Sequence, residues 1–232
     1  MRLRGLLFAA LIAGSCGGEP PVARAPQPRR EAHRREAIAP SVTNELGAVD
    51  PTAVQRTFHL LGDRLVDCQS QGLARVEVLA GALKFSLRIG ADGSAKWAYL
   101  EESDVGDRAT EKCFLAVVMS ARWPKPNGGD AEARYTMELP LQAAHPPSDW
   151  PADKVAAALG RHGNAIDECK AGAKASFRAT MYVGPGGTVL AAGIATSNMD
   201  GESCCDCLAK ELLQMEGLPS PGSWPAKVSF GL

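Results

Sequence analysis

The chain has 232 residues, 45% hydrophobic and 22% charged, with a formal net charge of −1 at pH 7. These proportions fit one large or two small globular domains plus extra segments, and they give no electrostatic case for nucleic acid or an acidic substrate. Four histidines, no two of them close in sequence, exclude a contiguous His-based metal or catalytic motif.

The first residues, MRLRGLLFAALIAGSC, set two arginines before a short apolar run and then small residues, the pattern of a secretory signal peptide over 1–15. The run is too short for a stable membrane span. Cys16 directly after Ala13-Gly14-Ser15 resembles the lipobox of bacterial lipoproteins, which implies cleavage before Cys16 and lipid on that cysteine. The plainer alternative is a signal peptide cut nearby, with Cys16 left as a thiol. Gly17 and Gly18 follow with no aspartate, so the resemblance implies an outer-membrane lipoprotein facing the periplasm or the surface. Residues 16–48 are rich in Pro and Arg and poor in large apolar groups, and are expected to be a disordered tether. Some thirty residues reach at most about 100 Å when extended. Arg24, Arg29, Arg30, Arg34 and Arg35 suit either contact with anionic lipid or polymer, or simple solvation.

Two units follow, over 49–143 and 148–232. The first segment of each reads as helix, with Asp50 and Asp149 as N-caps or near-caps and with Pro51 and Pro151 where a helix tolerates proline. LGDRLVDCQ (61–69) aligns with HGNAIDECK (162–170), setting Cys68 on Cys169. Next, LKFSLRIGADGSAKWAYLEESDVGDRATEKC (83–113) aligns without a gap on FRATMYVGPGGTVLAAGIATSNMDGESCCDC (177–207), setting Gly93 on Gly187, Ser103 on Ser197 and Cys113 on Cys207. Leu83, Phe85, Leu87 and Ile89 alternate with polar residues, and Phe177, Ala179, Met181 and Val183 hold the same places, so each copy predicts a half-buried strand turning into a hairpin. CFLAVVMSARW and CLAKELLQMEG predict second helices, stopped by Pro124 and Pro126 and by Pro219 and Pro221. EARYTMEL (132–139) and PAKVSFGL (225–232) predict closing strands. The expected fold is α+β: two tandem helix–hairpin–helix–strand (αββαβ) units, each a small antiparallel sheet with helices on one face.

Cys68, the Phe85–Gly93 hairpin, Ser103, Cys113 and the exit Trp123-Pro124 together resemble the AgmX/PglI C-terminal domain family, itself similar to the TonB C-terminal domain. The likeness covers 49–143 well. It covers 149–232 less well, where Gly186 replaces the turn aspartate and GLPSP replaces the aromatic-Pro exit. The resemblance implies an envelope binding or scaffolding module, associated in some members with motility or surface functions, with no catalytic residues. An unidentified envelope protein would then be its partner, alongside the membrane contacted through the N-terminal lipid. No small-molecule substrate, nucleic-acid partner, cofactor or metal is expected.

Secretion places the thiols where disulfides persist. Setting Cys16 aside leaves six cysteines, and the repeat proposes Cys68–Cys113 and Cys169–Cys207. Cys204 and Cys205 have no counterparts, since Thr110 and Glu111 stand there in the first copy. They form either a vicinal pair or an exchangeable one. Two sharper readings compete. Cys204-Cys205-Asp206-Cys207 is a C-x-x-C ahead of a helix, suited to thiol–disulfide exchange, although few residues follow for a thioredoxin-like fold. Three cysteines with Asp206 or a histidine could instead take zinc or Cu(I), with Cys169 alone left to help. Ser103 and Ser197 lack a recurring histidine and read as helix caps, while Trp97, Tyr99, Trp123 and Trp150 suit binding or packing.

Overall fold

The computed structural model describes residues 47–232 together with the strand pairing of Val42–Thr43. The signal peptide, Cys16 and the tether up to residue 41 lie outside the described residues. The chain is α+β. Its first half contains β1 (Val42–Thr43), α1 (Pro51–Leu60), α2 (Gly62–Leu73), β2 (Gly81–Ile89), β3 (Ala95–Ser103), α3 (Arg108–Ser120) and β4 (Ala131–Leu139). The second contains β5 (Ser148–Trp150), α4 (Asp153–Lys170), β6 (Phe177–Val183), β7 (Val189–Thr196), α5 (Glu202–Leu213) and β8 (Ala226–Gly231).

Local chemistry explains most boundaries. Asp50 caps α1 by accepting the Thr52 N–H at 2.9 Å, and Pro51 stands in the first turn, where its missing N–H costs nothing. Asp149 does not play the matching part. It lies in β5, and α4 begins after Ala152 with no side-chain cap. The β2–β3 turn needs Gly93, whose φ of +83° disfavours any side chain and whose carbonyl accepts from the Trp123 N–H at 2.9 Å. That bond ties the hairpin tip to the exit of α3.

The sheets run in the orders β1-β4-β2-β3 and β5-β8-β6-β7. The first is antiparallel throughout. In the second, β5 lies parallel to β8, because the connection between halves enters this sheet as a short edge strand before α4. β1 also differs from expectation: Val42 pairs with Ala133 and Thr43 with Glu132, inside the stretch read as tether. Both residues are β-branched, a side chain that fits a pleated edge.

Two apolar cores result. Phe58, Leu65, Phe85, Leu87, Phe114 and Val118 anchor the first, where Phe58 stacks on Tyr135 with ring centroids 4.0 Å apart. Val155, Met181, Ile194, Leu208 and Leu212 anchor the second. The second sheet is covered on both faces. Phe177, Ala179, Met181 and Val183 face its own helices, whereas Tyr182 and Ala191 belong to the first core. A strand buried on both sides reads as a continuous apolar run, and VLAAGIAT is one.

Candidate functional site

The cysteines come first. Cys68 on α2 is bonded to Cys113 on α3, Cα to Cα 5.7 Å, and Cys169 on α4 to Cys207 on α5, 5.5 Å. Each bridge ties the helix before a hairpin to the helix after it. Cys68 is buried in the first core, while Cys207 is exposed. Cys204 and Cys205 are free thiols, both buried, and are not joined to one another. The reason is helical: successive side chains on α5 point about 100° apart. Cys205 instead points its S–H at the Gly201 carbonyl, 3.4 Å away. Burial, reinforced by the Glu202 carboxylate, pushes the Cys205 thiol well above the usual thiol range. Among the described residues no group of three or more His, Cys, Asp or Glu side chains is placed to hold a metal ion, so the three cysteines of α5 are not gathered into such a set.

A second assembly joins the halves, built largely from side chains not singled out by sequence. Glu111 on α3 is fully buried. It accepts the Ser103 hydroxyl at 2.7 Å and, across the seam, the Ile194 N–H of β7 at 3.0 Å. Burial drives its carboxyl up to about 7, against the lowering effect of those two donors and of Arg108. Arg108 reaches Glu202 at 2.6 Å and Asp206 at 2.8 Å, and Lys112 meets Asp206 at 2.7 Å. Burial opposes the Arg108 charge, but Glu202 and Asp206 outweigh it and hold the guanidinium firmly protonated. Gly193 makes the close approach possible, since a Cβ there would press on Glu111 and come 2.9 Å from the Asp107 nitrogen. On the same face of the sheet, Tyr182 of β6 donates its hydroxyl to the Ala80 carbonyl at 3.1 Å.

The serines therefore do not cap helices. Asp107 caps α3, accepting from Thr110, and Ser103 spends its hydroxyl on Glu111. Ser197 accepts the Ser176 N–H at 3.0 Å at the open end of the β6–β7 pair. Trp123 is core, its indole N–H on the Val118 carbonyl at 3.1 Å. Trp97 and Tyr99 lie side by side on β3, with centroids 5.8 Å apart. Trp150 lies in β5 and packs partly buried against the second core.

A third feature lies along β4. Among the described residues its pairing with β1 covers only Glu132 and Ala133. From Tyr135 to Leu139 the strand borders a groove of roughly 480 Å³, lined on the helix side by Phe58, Leu65 and Val66. Leu60 and Val66 are among the most exposed large apolar side chains, 83% and 55%. The groove offers side-chain pockets between a strand and two helices.

No family model, curated protein or solved structure matches the chain.

Proposed function

We propose that this is a cell-envelope lipoprotein, anchored by lipid on Cys16, whose globular part works as a non-catalytic binding or scaffolding module in a surface or motility-related complex. The observation that carries the binding reading is the apolar groove of roughly 480 Å³ between β4 and the first two helices, a surface suited to apolar side chains of a partner protein. Two bonded cysteine pairs suit an oxidising compartment outside the cytoplasm. The leader-like N-terminus and the likeness to the AgmX/PglI C-terminal domain support the same placement.

A photo-crosslinking residue at Thr136, which lines this groove, tests the binding surface in intact cells. The expected outcome is a discrete adduct with one envelope protein, lost when Met137→Asp makes the groove polar. Adducts of equal yield from a matched probe at exposed Lys210, on α5, would contradict the assignment.

A further inference from the structure

β3 and α3 pack over β7 and the near edge of β6, and beyond them the same sheet face borders a cleft of roughly 460 Å³. Strand register shows which side chains point into it. Asp149 pairs with Lys227, Lys227 with Tyr182, Ser229 with Thr180 and Gly231 with Arg178, so all of these share one face. Four charges line the cleft, Arg178, Lys227, Asp149 and, from the loop after β3, Asp104. Lys227 is committed: its ammonium donates to the Ala80 carbonyl at 2.9 Å and stands 3.6 Å from the Asp104 carboxylate. Arg178 and Asp149 are exposed, and among the described residues neither side chain makes a hydrogen bond or ion pair. We infer that this cleft binds a short peptide with free ends, its carboxylate on Arg178 and its ammonium on Asp149.

Three features select that ligand. The charges balance, so a simple anion meets Asp104 and Asp149 while a simple cation meets Arg178 and Lys227, and each is repelled as well as attracted. A zwitterion satisfies both signs. Separation then sets its length. From β6 across β8 to β5, and from the level of Gly231 to that of Lys227, the Arg178 and Asp149 Cα atoms stand about 16 Å apart. The long arginine side chain shortens this to a span of about 7 to 10 Å, which two or three extended residues fill and a single amino acid does not. Lastly, the lining suits a peptide. Ser229, whose hydroxyl meets that of Thr180 at 2.7 Å, lies between the two charges and offers polar atoms to a backbone, while Pro146, Pro147 and Trp150 give a side chain an apolar wall.

The cleft shares no lining residue with the groove beside β4, so the two assignments stand or fall separately. Trialanine titrated into the full chain and followed by amide NMR tests the cleft. Binding should saturate, with shifts at 148–150, 178 and 227–229. Amidating the peptide's C-terminus or acetylating its N-terminus should each weaken binding at least about ten-fold. Arg178→Gln should weaken trialanine to the same degree yet leave the amidated peptide unaffected, and Asp149→Asn should do likewise for the acetylated one. Both positions are exposed, so neither change disturbs a core. A lack of saturation at millimolar peptide, blocked peptides that bind as tightly as trialanine, or equal binding by alanine or phosphoethanolamine would each overturn the inference. Shifts confined to Phe58, Val66 and Met137 would overturn it too, by placing the peptide in the β4 groove.

Discussion

Removing the first cross-link, by Cys68→Ala with Cys113→Ala, should lower unfolding stability by about 4 kcal/mol. The bridge closes a 45-residue separation, and loop closure in the unfolded chain accounts for an effect of this size. Cys68 is also buried among Leu65, Phe114 and Val118, so its loss leaves unfilled space in the first core. Removing Cys169 and Cys207 should cost about as much through the 38-residue separation, with less packing loss because Cys207 is exposed. Urea unfolding of the oxidised proteins gives the comparison. A shift below about 1 kcal/mol for the first pair would mean that it constrains the unfolded chain far less than its separation requires.

The second large effect is one of pH. Glu111 ordinarily titrates near 4.5, and burial in the seam raises it to about 7. A carboxyl whose folded value lies above its unfolded one stabilises the fold fully below about pH 4.5, and that stabilisation disappears as pH rises through about 7. Across this window Glu111 should remove about 3 kcal/mol. Glu111→Gln keeps an acceptor for the Ile194 N–H and an amide donor for Ser103, but it does not titrate. The variant should therefore lose about 3 kcal/mol less than the natural protein between pH 4.5 and 7.5, as read by urea unfolding at each pH. Parallel pH profiles would show that the carboxyl is not held neutral in the seam.

What was legible in the sequence was the part governed by short periods. Leu83, Phe85, Leu87 and Ile89 announce a strand by alternation alone, and two glycine turns announce the hairpins. Asp50 and Pro51 mark a helix start wherever they occur together. The seam between halves was harder. Glu111 reads as an ordinary helix-surface residue, and only the fold shows that it meets the backbone of β7 83 residues away. One signal was present: Ala191, Gly193 and Ala195 are small and lie on one face of β7, and Gly193 leaves room for α3. Asp149 misled because Pro151 imitates the α1 entry, whereas the chain first adds β5 beside β8. Val42 and Thr43 were absorbed into the tether because composition averages over many residues, and two β-branched side chains at a sheet edge leave no mark on an average.

Where the chain resides and how its cysteines are spent are both read by one measurement. Peptide mass mapping, without reduction, of the protein extracted from the cell envelope should find an acylated N-terminal Cys16, Cys68 joined to Cys113, Cys169 joined to Cys207, and Cys204 and Cys205 free. An unmodified Cys16, with thiols at 68, 113, 169 and 207 that alkylate readily, would contradict it.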